Sequence, residues 1–282
     1  PTDDPVRRAF RADRRLRIVK CTYPRPIVTV LVAAVPGAGL ALTSSDFRNS
    51  ELCVSYARDD CSMKVLSVNV GLPRELEWKG KIVRTSIFKE PVTGRVRVST
   101  LNVEGDQQSD LTLHGGRDKA VYVYPSEHYP FWRTEFPAMD LVRGVFGENF
   151  TTTGLVEKTV HIGDRFRVGS AEFVVTQPRM PCYKLGIRFN RSDMVKRFLQ
   201  SGRTGFYFAV VKEGEVAAGD SIEVVEKDKH NVSVADVVNL YRGDTANRDV
   251  LRRVSELPSL PNSSREYFRK QLPNADTEMT AQ

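Results

Sequence analysis

Cysteine is scarce and unevenly placed: of four in 282 residues, Cys21, Cys53 and Cys61 precede Met63, and Cys182 is the one cysteine of the remainder. No CxxC spacing occurs, so neither a structural zinc site nor a disulfide framework is indicated. Histidine is also sparse, at four residues, and the chain has no His-rich metal cluster, paired-carboxylate motif, Walker loop or nucleophile elbow. A long basic block is missing too. Lysine and arginine total 42 against 35 acidic residues, a formal charge of +7 spread along the whole chain. Such scattered excess charge favours small anionic ligands over nucleic acid.

A sustained apolar run is absent from the main body. Near the start, an arginine-rich opening (Arg7, Arg8, Arg11, Arg14, Arg15, Arg17) leads into apolar residues 27–42, which Pro36 and Gly37 interrupt. The outline is that of a targeting segment, but the basic part is long and the apolar part breaks too early for a membrane span. Residues 63–70, Met-Lys-Val-Leu-Ser-Val-Asn-Val, read as a natural N-terminal strand. Residues 1–62 are therefore expected to be unstructured upstream-translated sequence, with a targeting segment as the alternative. The first reading implies a cytoplasmic protein and the second an exported or organellar one.

What the chain does contain is strand after strand. Short β-branched or aromatic segments at 65–70, 94–98, 120–124, 159–162, 165–168, 172–176, 206–211 and 221–225 alternate with Gly, Asp and Pro turns. The spacing predicts a mainly β barrel or sandwich over residues 63–229. Two helices interrupt it, one opened by Ser126 and stopped at Pro137, the other opened by Ser192 and ended at Gly202. From residue 230 the period changes to that of helices. Ser233, Thr245 and the pair Ser263-Ser264 open three of them, giving a small helical domain over 230–274 and a polar, disordered tail over 275–282.

Cys182 lies in Gln177-Pro178-Arg179-Met180-Pro181-Cys182-Tyr183-Lys184-Leu185. Two prolines hinder a regular sheet there, and Arg179 and Lys184 would lower the thiol pKa from about 8.5, the setting of a reactive or metal-binding sulfur. Lone cysteines are, however, more often small core hydrophobes. In His114-Gly115-Gly116-Arg117-Asp118-Lys119 the paired glycines let successive amides face an anion, with a lysine close behind. An ordinary turn is the plainer reading. Phe146-Gly147-Glu148-Asn149-Phe150 offers an amide and a carboxylate, or simply a capped turn. Arg179, Lys184 and Arg188 form either a ligand-binding flank or a solvated basic face. His128, Tyr129, Phe131 and Trp132 read as helix packing.

In this order, Gly105-Asp106-Gln107, His114-Gly115-Gly116, Asp118-Lys119-Ala120-Val121, Glu127-His128-Tyr129, Trp132, Phe146-Gly147-Glu148-Asn149 and Pro181-Cys182-Tyr183-Lys184-Leu185 closely resemble the MOSC domain of the YiiM type. The likeness runs from about Met63 to the C-terminus. It implies a MOSC-type β-barrel with few helices, followed by a three-helix domain. It also implies the molybdenum cofactor (molybdopterin), with Cys182 as catalytic residue and metal ligand. His114, Gly115, Gly116, Lys119, Asn149, Arg179, Lys184 and Arg188 would line the pterin and phosphate pocket. At family level molybdenum ion and pyridoxal phosphate binding are also expected. The implied activity is reduction of small N-hydroxylated compounds such as hydroxylaminopurines and amidoximes. The chain shows no Rossmann fingerprint, flavin motif or iron–sulfur cysteine set, so electrons would come from a separate reductase. The alternative is a cofactor or sulfur carrier that uses a Cys182 persulfide. A helix-turn-helix role for the arginines of the helical tail is not expected, because no helix there presents a compact recognition face.

Overall fold

The computed structural model describes residues 63–109 and 115–272. The readings of residues 1–62 and of the polar tail fall outside them, as does His114.

The described residues build one eight-stranded sheet in the order Ile222–Glu226, Arg165–Val168, Ala171–Pro178, Phe206–Lys212, Val121–Pro125, Phe150–Thr153, Lys64–Val70 and Glu90–Pro91. Every pairing is antiparallel except that of Val121–Pro125 with Phe150–Thr153. The sheet curls until its ends meet. Val65 N donates to Asp220 O (3.0 Å), Ile222 N to Met63 O (2.7 Å) and Gly219 N to Val65 O (2.7 Å), with a bridge at Lys64–Ser221. A few bonds at one corner, instead of a full ladder, join the first strand to the last, so the barrel is not closed.

Period-two alternation decides what each face buries. Val121 and Val123 point into an apolar interior with Phe150, Phe166, Phe173, Phe206 and Phe208, while Tyr122 and Tyr124 point the other way. That outer face is covered by the helix Tyr129–Glu135, the short helix Tyr183–Arg188 and the helix Met194–Ser201, which form a second, aromatic core around Trp132, Phe146 and Phe198. Trp132 is 1% exposed, as its reading as packing requires.

The three C-terminal helices, Val234–Tyr241, Arg248–Glu256 and Asn262–Arg269, extend the interior core: Val237, Leu251, Val254 and Phe268 belong to the same apolar cluster as Val121 and Phe208. Ser233 closes a capping box, its Oγ accepting from Asp236 N (3.0 Å) while Ser233 N donates to Asp236 Oδ2 (2.9 Å). Because the core is continuous, Ser233→Ala is expected to cost the entire domain about 1 kcal/mol, read as a lower denaturant midpoint in a single transition. A separate early transition for the helices would contradict the shared core.

Several local expectations differ from the structure. Of the expected helix openers only Ser233 caps: Ser126 lies in a 3-10 turn before the helix Tyr129–Glu135, Asp193 takes the place of Ser192, Asn247 that of Thr245, and Ser263 and Ser264 lie inside a helix preceded by Pro261. Residues 159–162 make only an isolated bridge, His161 to Ser233, because Thr159 N and Val160 N both turn back to Val156 O. A hairpin of Arg74–Trp78 and Lys81–Thr85 stands beside the main sheet, turned by Lys79 (φ 53°) and Gly80 (φ 74°). Its strands are short and rich in charge, and Ile82-Val83 break the alternation in the second. The helix Tyr183–Arg188, directly after Cys182, is under two turns long and equally inconspicuous.

Candidate functional site

At the end of the strand Ala171–Pro178 the chain turns inward, and Arg179 N donates to Gly205 O (3.2 Å). Three residues on, half-buried Cys182 precedes the short helix, its carbonyl accepting from Leu185 N (3.0 Å). The thiol lines a cleft together with Lys119, Asn149, Arg179 and Lys184 from the sequence reading, and with Thr85, Ser86, Lys89, Asp106, Tyr122 and Tyr207. The cavity volume of the cleft is about 100 Å³. That suits a metal centre or a small head group, with the rest of a larger ligand lying across the mouth.

Arg179 is 5% exposed, so the solvated-face alternative fails for it. Its guanidinium lies over the rings of Tyr122 (5.3 Å) and Phe198 (5.2 Å), and its buried Nη1 has no hydrogen-bond partner among the described residues. Burial alone would lower its pKa, but the facing hydroxyls of Tyr122 and Tyr207 and the Cys182 thiol together raise it. Burial drives the Tyr122 and Tyr207 hydroxyls up, against the pull of Arg179. Lys184 is 7% exposed and donates to Ser109 Oγ (3.2 Å). Lys119 is held by its short turn, whose Asp118 carbonyl accepts from Thr176 Oγ1 (2.7 Å) and Gln177 Nε2 (3.5 Å). Burial lowers its pKa, with Asp118 opposing.

The opposite wall is a polar cluster. Buried Lys89 forms an ion pair with Asp106, whose Oδ1 also accepts from Gly71 N (2.9 Å) and whose Oδ2 accepts from Asn149 Nδ2 (2.9 Å). Asn149 Nδ2 further donates to Asn69 O (3.3 Å), and Asn149 Oδ1 accepts from Tyr122 N (3.0 Å). Both amide hydrogens of Asn149 are thus used within the protein, and the side chain ties the cleft wall to the Tyr122 strand. Its neighbour Glu148 is a buried cap, accepting from Gly144 N (2.9 Å), Phe146 N (3.0 Å), Thr151 Oγ1 (2.9 Å) and the Tyr129 hydroxyl. Burial raises the Glu148 pKa in spite of these donors. The capped-turn reading of this loop therefore describes Glu148 well.

Arg188 does not join the cleft. Four helical residues beyond Lys184, a rise of about 6 Å, Arg188 borders a separate groove with Phe136, Met139 and Phe189, and its guanidinium lies over Phe88 (4.9 Å). Gly115 and Gly116 are not among the lining residues either; Gly116 (φ 93°) opens the Arg117–Lys119 turn. His128 Nε2 meets Glu157 Oε2 at 2.7 Å, and Glu157 Oε1 accepts from Gly205 N (2.7 Å). This pair braces the backbone that holds Arg179. In the helical tail, Arg253 donates to His230 O (3.2 Å) and pairs with Asp249 (3.1 Å), while Arg269 donates to Ser255 O (3.1 Å), so part of the tail's basic character is internal bracing.

A profile described as "MOSC domain" matches residues 110–223, and one described as "YiiM-like, 3-alpha helix domain" matches residues 232–275. The uncharacterized protein YflK of Bacillus subtilis is 44% identical over 206 residues, which cover 73% of this chain and 93% of that protein. This chain belongs to the YiiM-type MOSC family. The crystal structure of YiiM from Geobacillus stearothermophilus superposes with a TM-score of 0.63 at 34% identity, over 75% of this chain and 100% of that one. A Gibberella moniliformis protein named "Reductase" is 34% identical over 197 residues, 69% of this chain but 35% of that protein. In this YiiM-type MOSC chain the MOSC match begins after Lys89 and Asp106, so one wall of the cleft comes from the segment that precedes it.

Sequence reasoning missed Lys89, Tyr122 and Tyr207, and quoted Asp106 without giving it a role. The tyrosines carried a usable signal: each is a polar-tipped ring set among apolar strand residues, facing away from the apolar interior. Lys89 carried none, since a lysine in an irregular stretch normally lies in solvent.

Proposed function

We propose that the Cys182 cleft holds a molybdenum-bearing pterin and that the protein reduces N-hydroxylated compounds to the corresponding amine or amidine. The observation that carries this reading is Arg179: a buried guanidinium with an unmatched Nη1 in the wall that also bears the thiol. An unmatched buried donor costs about 1–3 kcal/mol, which an anionic ligand offsets. The donor set fits the group, because a soft thiol suits a thiophilic metal while Lys119, Lys184 and Arg179 suit phosphate and pterin oxygens. The MOSC name, taken from the C-terminal domain of molybdenum cofactor sulfurases, and the relative named "Reductase" point the same way. When bound, molybdenum would supply two-electron oxygen-atom transfer. The chain's own residues orient the cofactor through Cys182, screen its charge through the cations, and keep bulk water from the buried wall. Hydroxylaminopurines or amidoximes are the substrates expected, and a separate reductase the electron source.

The test is metal and pterin analysis of the full chain from a cofactor-competent host, with turnover measured using an artificial electron donor. Arg179→Met keeps an apolar stem against Tyr122 and Phe198 but removes the donors. Loss of a charge-assisted contact of about 1.5–3 kcal/mol corresponds to a roughly tenfold to hundredfold weaker hold on the cofactor, with a much smaller change in melting temperature. Equal losses of cofactor and melting temperature would make Arg179 a structural residue. A sulfur adduct on Cys182 without metal would instead favour the carrier role.

A further inference from the structure

We infer that Arg74 and Arg188, which meet at the ring of Phe88 just outside the Cys182 cleft, bind the phosphate of an N-hydroxylated purine nucleotide whose base enters the cleft. The inference rests on the function proposed above and narrows its substrate from base to nucleotide. The phosphate takes no part in the reaction and serves only to hold the substrate. Two register arguments place the arginines at the mouth. Arg74 is the direct cross-strand partner of Thr85 in the hairpin, so the two side chains leave the same face, and Thr85 lines the cleft. Arg188 stands four residues after Lys184 in the helix Tyr183–Arg188, one turn along the same helix face, and Lys184 lines the cleft too. Phe88 itself sits between two further lining residues, Ile87 and Lys89.

The Arg74 guanidinium lies 3.5 Å from the Phe88 ring centroid and that of Arg188 4.9 Å. No other ring among the described residues carries two guanidiniums. The pair lacks a counter-ion. Among the described residues neither arginine has a hydrogen bond or an ion pair, and the buried Nε of Arg188 is unmatched, whereas Arg95, Arg167 and Arg197 each pair with a carboxylate. Burial and the Arg74 charge depress the Arg188 pKa, and Glu148, Glu90 and Tyr129 oppose that shift without cancelling it. Two like charges held together favour a dianion over a monoanion, and guanidinium forks match phosphate oxygens in geometry as well as charge. A carboxylate satisfies them less well. Lys119, Lys184 and Arg179 already serve the cofactor inside the cleft, so a second phosphate site at its mouth suits the molecule that enters last. Among the expected substrates the hydroxylaminopurines can carry such a phosphate, through a ribose that supplies the reach from a base at Cys182 to the mouth.

The experiment measures calorimetric binding of an unreactive pair, adenosine monophosphate and adenosine, to the cofactor-loaded full chain. The nucleotide should bind roughly tenfold to hundredfold more tightly than the nucleoside. Arg74→Met/Arg188→Met should erase that preference and keep the wild-type molybdenum content. Arg74→Glu, at an exposed hairpin position away from the core, is the second probe should the double variant not fold, and it should erase the preference as well. With N-hydroxylated adenosine monophosphate as substrate the loss should fall on KM and not on kcat, as for a contact equally strong in ground and transition states. Equal binding of the two ligands by the wild type, or a preference that both variants keep, overturns the inference and leaves the proposed function standing. Loss of molybdenum in the variants also overturns it, because the arginines would then hold the cofactor. A wild type that prefers the nucleotide through these arginines yet takes up no cofactor, or reduces no N-hydroxylated compound, ends the proposed function and keeps the phosphate site.

Discussion

Cys182→Ser is expected to give a folded protein with no N-hydroxyl reduction. The hydroxyl is close to the thiol in size and the site is only half-buried, while the bond that starts the following helix, Leu185 N to Cys182 O at 3.0 Å, belongs to the backbone. Stability should therefore change little. The chemistry changes a great deal, because a serine hydroxyl stays protonated near neutrality and is a hard donor where the proposed metal takes a soft, anionic one. The neighbours make the loss sharper. Arg179 and Tyr207 set a fixed cation and a hydroxyl that burial keeps protonated within electrostatic reach of the sulfur, an environment suited to a thiolate. Turnover with an artificial donor, molybdenum content and circular dichroism of both proteins decide the matter. Full turnover in the serine protein would end the thiolate-ligand mechanism, and a collapsed fold would make Cys182 a packing residue.

The second large effect is expected at Gly205, and it falls on stability first and function second. Gly205 has φ +63°, and a Cβ there would lie 2.3 Å from Val123 O and 3.0 Å from the rings of both Tyr122 and Tyr124. The backbone cannot retreat. Its N–H is held by Glu157, its carbonyl takes Arg179 N, and the two preceding carbonyls, Thr204 O and Arg203 O, accept from the Tyr122 and Tyr124 hydroxyls. Gly205→Ala should cost about 2–5 kcal/mol, combining left-handed strain with overpacking against a central strand. The displaced loop would carry Arg179 with it, so cofactor content should fall even at temperatures where the variant is folded. An unchanged melting temperature would show that the loop yields without cost and that Arg179 does not depend on it.

Both expectations turn on features of different legibility. Cys182 stood out in the sequence because it is chemically distinct and flanked by cations. Gly205 was invisible, since a glycine before a strand is ordinary until the strand it must pass is known. The same contrast runs through the cleft. Asn149 was singled out as a ligand-binding amide, but Tyr122 N, Asp106 and Asn69 O use its amide in the structure, and which groups would claim it depended on pairing that the local sequence does not specify. Arg188, separated by four residues from Lys184, shares its basic character in sequence and not its cleft.

Local chemistry alone determined that the chain is mainly β with a helical end, because period-two strands, Gly-Asp turns and the helical period after residue 230 are written into neighbouring residues. It also determined that one sulfur stands apart from the others. The tertiary structure decided which cations face that sulfur. Arg179 is buried and left with an unmatched donor only because the Ala171–Pro178 strand ends against Gly205, and Lys89 and Asp106 enter the wall only because the curled sheet brings the preceding segment back beside the Asn149 loop. Polar residues on irregular segments have no period to betray their direction. Their environment comes from contacts between residues far apart in the chain, and those contacts exist only once the sheet has curled.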